Sequence, residues 1–232
     1  MNLDYLMVED KKVFESEKNK LVRYWKWRLQ FKDKKIIDAF LSVPREDFVL
    51  EFSRPLAYWD NPLRIGHGQT ISQPTTVATM LDELELENKK GFKVLEIGAG
   101  SGYNAALLGT ICSKGRVYSV EIVPELVEFA RRNLEKFAIS NVEIIQGDGS
   151  LGYEKEAPYD RIVVTACAPE IPTPLIGQLK NKGIILMPVG SSKNSYQNMI
   201  KGVRNNGQLN EEDLGAYRFV PLVGKDKSVS KK

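Results

Sequence analysis

The feature that most constrains the fold of this chain is an apolar run that ends in a glycine-rich turn. Residues 94–97 read Val-Leu-Glu-Ile, and glycines follow at three alternate positions, Gly98, Gly100 and Gly102. Glycine adopts positive φ at no steric cost and lets the backbone lie against a ligand, because it has no Cβ. A strand that turns this sharply into a helix is typical of nucleotide-binding folds. Taken alone, the motif is equally compatible with an ordinary strand-turn-helix connection.

The spacing of these glycines indicates the kind of nucleotide. A dinucleotide-binding turn has its third glycine three residues after the second, but here that position is Tyr103 and the third glycine comes one residue early. S-adenosylmethionine has no pyrophosphate to place on a helix N-terminus, so the turn need only pass under its amino-acid and ribose parts. The spacing therefore favours S-adenosylmethionine.

Two further apolar runs end in acidic residues. Residues 117–120 lead into Glu121, 23 residues after Gly98, and residues 142–146 lead into Asp148, which has a glycine on either side. A carboxylate at the first position can accept hydrogen bonds from both ribose hydroxyls, and Asp148 can accept one from the adenine amino group. A solvated acid at the end of a strand is the alternative for Glu121 alone. Because parallel strands end at one sheet edge, the coincidence predicts a single ligand site.

Short apolar runs alternate with helical patterns through the middle of the chain. Helical spacing occurs at residues 103–111 and 124–137, and further strand-like runs occur at residues 161–165 and 183–188. This alternation predicts an α/β fold with a doubly wound, mostly parallel sheet that is covered on both faces.

The region before the sheet is expected to be helical and then irregular. We predict a helix in the first ~30 residues and partly helical structure at residues 36–52, broken at Pro44. The packing residues expected for the first helix are Tyr24, Trp25, Trp27 and Leu29.

A glycine-bracketed turn at residues 66–74 precedes another helical pattern. Its Ser72 can cap that helix, since a proline follows two residues later at the start of the pattern. The same hydroxyl and the nearby amide groups can instead hold a carboxylate-bearing substrate. The spacing alone leaves both roles open.

Composition excludes several classes of protein. The 232 residues carry a net charge of +3, from 33 basic and 30 acidic residues, which is too mild to indicate nucleic acid binding. No apolar run approaches the ~20 residues of a membrane span. The first residues lack a secretory pattern, so we expect a cytoplasmic protein. The two cysteines and His67 cannot complete a four-ligand structural metal site, so we expect no metal.

Several motifs together resemble the protein-L-isoaspartate O-methyltransferase family. The resemblance extends in the family's order over roughly residues 36–224. It implies a class I S-adenosylmethionine-dependent methyltransferase fold of the Rossmann-like type, with an added N-terminal helical segment. It also implies methylation of the α-carboxylate of L-isoaspartyl residues in damaged proteins. The motifs are residues 43–49, 57–63, 66–74, 94–103, 159–166 and 219–222.

The resemblance also implies roles for individual residues, with S-adenosylmethionine as cofactor and isoaspartyl proteins and peptides as partners. It implies Ser72 as the catalytic residue. The cofactor-binding residues are expected to be Gln69, Thr70, Ile71, Glu96, Gly98, Ala99, Gly100, Ser101, Gly102, Glu121, Ile122, Asp148 and Gly149. The substrate-binding residues are expected to be Thr165, Val220, Pro221 and Leu222.

Two positions depart from the family pattern. Thr75 stands where many relatives carry histidine beside the cofactor, so one cofactor contact is expected to differ. Cys167 stands in place of a usual alanine in the loop after the fourth predicted strand, which is expected to change packing alone.

On this basis the chain divides into four segments. Residues 1–88 form a helical, substrate-covering segment, and residues 89–190 form the cofactor-binding core. Residues 191–224 supply strands that complete the sheet and the peptide site, and residues 225–232 form a disordered tail.

Two rival classes of function share parts of this pattern. A nucleic-acid methyltransferase would have the same cofactor fold, but it should carry a basic groove with stacking aromatic residues. A non-catalytic cofactor-binding module is hard to reconcile with the intact segment 69–72.

Overall fold

The computed structural model of the chain describes residues 3–191, 196–226 and 229. Its first part is helical and leads through a short antiparallel hairpin to the main sheet. Two 3-10 turns, Arg45–Asp47 and Glu51–Leu56, connect the second helix to the hairpin. The elements of this part are α1 (Leu3–Arg28), α2 (Lys34–Ser42), β1 (Leu63–Gly66), β2 (Gln69–Ile71) and α3 (Pro74–Glu83).

The main sheet contains seven strands within the part of the chain that the structure describes. Its strand order is β5-β4-β3-β6-β7-β8-β9, and the first five strands of that order are parallel. The last two run antiparallel. The elements are β3 (Lys93–Ile97), α4 (Tyr103–Ile111), β4 (Arg116–Glu121), α5 (Pro124–Lys136), β5 (Val142–Gln146), β6 (Tyr159–Val164), α6 (Thr173–Gly177), β7 (Leu179–Val189), β8 (Gln197–Asn205) and β9 (Gln208–Tyr217).

This topology confirms the predicted doubly wound, mostly parallel sheet. The chain builds outward from β3 through β4 to β5, and then returns to place β6 on the other side of β3. The strand order therefore reverses between β3 and β6. Open α/β sheets bind ligands in the crevice outside the carboxyl ends of the strands at such a reversal.

The hairpin of β1 and β2 was not part of the sequence prediction. Its turn places three successive residues at positive φ, namely Gly66 (92°), His67 (51°) and Gly68 (73°). The two glycines accept this conformation without strain, and His67 lies between them. Strands of four and three residues are too short to show a period of two, so only the glycines signalled the turn.

Helix α1 packs through a narrower set of residues than the sequence suggested. Trp25 is fully buried and Leu21, one turn earlier, is largely buried, and Trp25 packs against Phe40 of α2 with ring centroids 4.5 Å apart. The prediction that Trp27 is a packing residue was wrong, because its side chain is 78% exposed. Tyr24 and Leu29 are exposed as well.

Tyr24, Trp27 and Leu29 are exposed because residues four apart on a helix, such as Leu21 and Trp25, share one face, and the residues between them point elsewhere.

Across the described part of the chain, no helix is both long and apolar enough to cross a membrane.

Thr75 ties three parts of the fold together. Its hydroxyl accepts a hydrogen bond from Trp25 Nε1 at 2.8 Å and donates one to Asp60 Oδ2 at 2.6 Å. Its backbone N–H donates to Asp60 Oδ1 at 2.8 Å. The residue that departs from the family pattern therefore joins α1, the loop before β1 and the first turn of α3.

We expect Thr75→Val to lower the free energy of unfolding by about 1–3 kcal/mol, because it leaves Trp25 Nε1 and one Asp60 oxygen without their partner. Thr79→Val is the matched control, since the Thr79 hydroxyl bonds only a backbone carbonyl in the same helix. The control should change stability by about 0.5 kcal/mol or less. Urea unfolding of both variants measures the difference. Equal losses would show that Thr75 contributes no more than an ordinary helical threonine.

Candidate active site

The turn after β3 requires glycine for two separate reasons. Gly98, Gly100 and Gly102 all have positive φ, at 95°, 55° and 83°. A Cβ on Gly98 would collide with the Thr165 hydroxyl at the end of β6. A Cβ on Gly102 would lie 3.2 Å from the backbone of Ala130 in α5. The first glycine lets the turn approach the neighbouring strand, and the last lets α4 pack against α5.

Glu121 fastens this turn to the end of β4. Its Oε2 accepts a hydrogen bond from the N–H of Gly100 at 2.9 Å. Its Oε1 accepts from the N–H groups of Ile122 and Val123 at 2.9 and 3.0 Å. A carboxylate has about four acceptor positions, so Glu121 keeps capacity for one more donor.

Asp148, after β5, is bonded on both oxygens. Its Oδ1 accepts from the N–H and hydroxyl of Ser150, at 3.0 and 2.7 Å. Its Oδ2 accepts from the N–H of Lys225 at 2.7 Å, and the N–H of Asp226 donates to Ser150 Oγ at 3.1 Å. The first two residues of the predicted tail are therefore held at this edge of the sheet. Residues 227, 228 and 230–232 of that tail lie outside the described residues.

Two adjoining cavities lie under the glycine turn at the carboxyl ends of the strands, and we call them together the cofactor cavity. Asp148 lines an open depression beside it, together with Ile122 and residues 223–225. The structure brings most of the predicted residues together here. The predicted residues that line the cofactor cavity are Gln69, Thr70, Ile71, Ser72, Gly98, Ala99, Gly100, Ser101, Glu121, Ile122, Gly149, Thr165, Val220, Pro221 and Leu222.

Sequence reasoning did not assign the remaining lining residues to the site. Six of the eight are apolar, and Tyr103 and Asn104 lie in a helical pattern that indicated only packing on the sheet. The eight are Ile97, Val120, Ala166 and Val223 on the side of Glu121, and Val77, Met80, Tyr103 and Asn104 on the side of α3 and α4.

Glu96 and Gly102 are the two predicted cofactor residues that do not line any of these cavities. Glu96 is fully buried in β3 and accepts hydrogen bonds from Ser119 Oγ at 2.5 Å and from Asn104 Nδ2 at 2.8 Å. Burial raises the pKa of Glu96 to about 7, although these two hydrogen bonds lower it. Asn104 lines the cofactor cavity, and its hydrogen bond to Glu96 orients its side chain. Glu96 therefore affects the site indirectly, through Asn104.

A third cavity, which we call the acceptor cavity, adjoins the cofactor cavity. Thr70, Ser72, Thr165 and Val220 line both, so the two cavities meet at these four residues. The other predicted substrate residues, Pro221 and Leu222, line the cofactor cavity alone. The remaining lining residues of the acceptor cavity are Pro62, Gln73, Thr76, Arg218 and Phe219.

Ser72 is not the cap of α3. The residue before the helix is Gln73, whose side chain makes no capping hydrogen bond, and Pro74 occupies the first helical position. The Ser72 hydroxyl makes no hydrogen bond to any residue that the structure describes. The capping role that the spacing allowed is therefore wrong, and the hydroxyl is free at the junction of the two cavities.

Arg45 holds the Ser72 loop from beneath. It is fully buried, and its Nη2 and Nε donate to the carbonyl oxygens of Ser72 and Ala57, each at 2.7 Å. Its guanidinium lies over the ring of Tyr103 at 5.0 Å. Burial lowers the pKa of Arg45. Sequence reasoning placed Arg45 in a family motif without giving it this role, because Arg45 begins a run of three charged residues that resembles an ordinary exposed turn.

The segment after β9 is fixed to the loop after β6. The N–H of Cys167 donates to the carbonyl of Val220 at 2.8 Å, and the N–H of Leu222 donates to the carbonyl of Cys167 at 2.7 Å. The carbonyl of Val220, a predicted substrate residue, therefore already has a partner within the chain. Cys167 is buried, and burial raises the pKa of its thiol.

Comparison with known proteins indicates the family that the chain resembles. Residues 16–227 match the family model described as protein-L-isoaspartate(D-aspartate) O-methyltransferase. The chain is 51% identical over 192 residues to a protein-L-isoaspartate O-methyltransferase of Methanothrix thermoacetophila, covering 82% of this chain and 89% of that protein. It is 46% identical over 219 residues to one of Pyrococcus horikoshii, covering 94% and 97%.

Two solved structures are also similar. A protein-L-isoaspartate O-methyltransferase superposes with a TM-score of 0.78 at 32% identity, covering 88% of this chain and 65% of that one. A putative protein-L-isoaspartate O-methyltransferase from Plasmodium falciparum, in complex with S-adenosyl-L-homocysteine, has a TM-score of 0.78 at 26% identity. That match covers 91% of this chain and 99% of the other.

The raised pKa of Glu96 predicts a specific pH dependence of stability. Between its ordinary value of 4.5 and about 7, the folded protein binds more protons at Glu96 than the unfolded protein does, so its stability falls as pH rises through this window. Glu96→Gln removes this titration. At about 1.4 kcal/mol per pKa unit, the wild type should lose up to about 3 kcal/mol relative to the variant across the window.

Urea unfolding at several pH values measures this difference. Glu135→Gln, a change at an exposed position of α5, is the control and should follow the wild type throughout. If Glu96→Gln and the wild type show parallel profiles, Glu96 does not titrate in this range.

Proposed function

The chain belongs to the protein-L-isoaspartate(D-aspartate) O-methyltransferase family, and on that premise we propose how its site carries out the reaction. The protein transfers the methyl group of S-adenosylmethionine to the α-carboxylate of L-isoaspartyl residues in damaged proteins and peptides. The resulting ester closes to a succinimide, which can reopen as aspartate. The observation that carries the proposal is the junction of the cofactor and acceptor cavities at Thr70, Ser72, Thr165 and Val220.

The residues around the cofactor cavity fit S-adenosylmethionine. Glu121 has a remaining acceptor position that suits a ribose hydroxyl. Asp148 lines the depression beside the cofactor cavity and keeps one acceptor position, which suits the adenine amino group. Gly98 and Gly100 keep the space under the turn clear of side chains. When bound, S-adenosylmethionine supplies a sulfonium methyl group that is already activated for transfer.

The protein's own contribution is to align the acceptor and to exclude water. A carboxyl group with a pKa near ~4 is ionised at neutral pH, so it is a nucleophile without help from a general base. Correct alignment of the reacting atoms then accounts for much of the acceleration.

Ser72 and Thr70 both present hydroxyls at the junction without a hydrogen bond to any described residue, and the family resemblance gives the catalytic role to Ser72. We therefore propose that Ser72 aligns the acceptor carboxylate. Thr165 Oγ1 lies 3.0 Å from the carbonyl oxygens of both Ile97 and Gly98, so its single proton is already in use. The proton of the Ser72 hydroxyl has no partner among the described residues. Ser72 can therefore donate to one carboxylate oxygen while the other oxygen faces the cofactor cavity.

The partners that we propose are isoaspartyl proteins and peptides, with action in the cytoplasm and without nucleic acid. The net charge of +3 supports the exclusion of nucleic acid, since phosphate-binding proteins carry a larger basic excess. A cavity lined mainly by uncharged side chains suits a peptide better than a nucleic acid strand.

One assay tests the proposed reaction directly. The protein is incubated with S-adenosylmethionine labelled in its methyl group and with two peptides that differ only in aspartyl or isoaspartyl linkage. We expect base-labile label on the isoaspartyl peptide alone. Equal labelling of the two peptides, or labelling of neither, contradicts the proposal.

Ser72→Ala should lower kcat for the isoaspartyl peptide by about ten- to a hundredfold, because it removes a hydrogen bond to a charged group. Affinity for S-adenosylhomocysteine, measured by calorimetry, should stay within a few fold of the wild type. A thermal melt of the same preparation checks the fold. Full activity combined with a lowered melting temperature would show that the serine is structural.

A further inference from the structure

The acceptor cavity contains a single charged side chain among the described residues that line it, that of Arg218. This side chain is exposed and makes no ion pair or hydrogen bond with any residue in the described part of the chain. We propose that Arg218 recognises the negative charge of the acceptor carboxylate, and so selects isoaspartyl residues over uncharged analogues. This inference rests on the proposed function and assigns a specificity residue to the same site.

The charges around the site explain why a cation is needed. Glu121 and Asp148 lie at the carboxyl ends of two neighbouring strands at this edge. Asp60 accepts a hydrogen bond from the backbone N–H of Thr75 in the first turn of α3. These acids disfavour the entry of another carboxylate. Transfer of a carboxylate out of water is costly unless a cation or several hydrogen bonds compensate for its lost hydration. Ser72 supplies one hydrogen bond but no charge.

Arg45, the cation beneath the Ser72 loop, cannot take this role. Arg45 is fully buried beneath the Ser72 loop and lines neither the cofactor cavity nor the acceptor cavity. Two of its nitrogens are bonded to carbonyl oxygens, as described above. Arg45 therefore does not reach the acceptor, whereas Arg218 lines the acceptor cavity.

The backbone on either side of Arg218 is fixed, although the side chain is free. Tyr217, at the end of β9, pairs with Gln197 at the start of β8. The N–H of Phe219 donates to Oε1 of the buried Gln197 at 2.9 Å, and the carbonyl of Val220 is held by Cys167. Arg218 therefore projects from a rigid position at the mouth of the cavity. Its planar guanidinium can bind both oxygens of a carboxylate, as an ammonium group cannot.

Arg218 should affect capture of the substrate more than the chemical step. Its pairing with the carboxylate exists both before and during methyl transfer, so its loss weakens binding in the ground state and in the transition state alike. We therefore expect a raised KM with kcat nearly unchanged.

The test uses two peptides of one sequence, amidated at the C-terminus and free of other acidic residues. One contains an L-isoaspartyl residue and the other its α-carboxamide, which has no charge and cannot be methylated. Calorimetry in the presence of S-adenosylhomocysteine gives the Kd of each peptide for the wild type, Arg218→Gln, Arg218→Lys and the control Arg132→Gln. Arg132 is exposed on α5 and lines none of the cavities described here.

We expect the wild type and Arg132→Gln to bind the carboxylate peptide at least tenfold more tightly than the carboxamide peptide. In Arg218→Gln this preference should fall to about threefold or less, entirely through weaker binding of the carboxylate peptide. Arg218→Lys should keep part of the preference. Kinetics with the carboxylate peptide should show about a tenfold rise in KM for Arg218→Gln.

Equal weakening of both peptides by Arg218→Gln would show that the side chain only shapes the cavity, and this would overturn the inference. An unchanged preference would overturn it as well. Failure of the proposed function is recognised separately, because in that case the wild type itself does not methylate the isoaspartyl peptide.

Discussion

The close approach of the Gly98 turn to Thr165 sets the geometry on which the rest of the site depends. The Thr165 hydroxyl bridges the carbonyl oxygens of Ile97 and Gly98, so the end of β3 is fastened to the end of β6 at the point where the strand order reverses. A side chain at position 98 would occupy the place of that hydroxyl. On the other side, Glu121 bonds the Gly100 amide and fastens the turn to β4. The cofactor cavity is the space that remains between these attachments.

The acceptor side is organised from the N-terminal part of the chain. Arg45 holds the Ser72 carbonyl from below, while Thr75 joins the start of α3 to Asp60 and to Trp25 of α1. Ser72 lies between these two anchors, so its hydroxyl can stay unpartnered at the cavity junction without the loop being loose. The helical segment before the sheet therefore contributes to the site by fixing the loop that carries Ser72.

The chain after β9 links the two halves of the site. It passes Arg218 at the acceptor cavity, continues along the cofactor cavity at residues 220–223, and reaches Asp148 at Lys225. Its hydrogen bonds to Cys167 hold it against the loop after β6. One short segment thus borders the acceptor cavity, the cofactor cavity and the depression beside Asp148.

The local sequence determined the doubly wound sheet, the glycine turn and the acids at the strand ends, because each follows from short-range pattern. Helices α4 and α5 were predicted to within a residue of their observed bounds for the same reason. The family resemblance supplied the roles proposed for Ser72 and for the segment 219–222.

Only the tertiary structure decided which of these residues face the cavities. Glu96 lies in the core and orients Asn104 by a hydrogen bond. Gly102 allows α4 to pack closely against α5, and Thr75 bonds to Trp25 of α1. Arg218 lies 146 positions after Ser72 in the chain, yet lines the same cavity. No local sequence pattern indicates that these two residues line one cavity, because this depends on how β9 pairs at the edge of the sheet and on where the chain then returns.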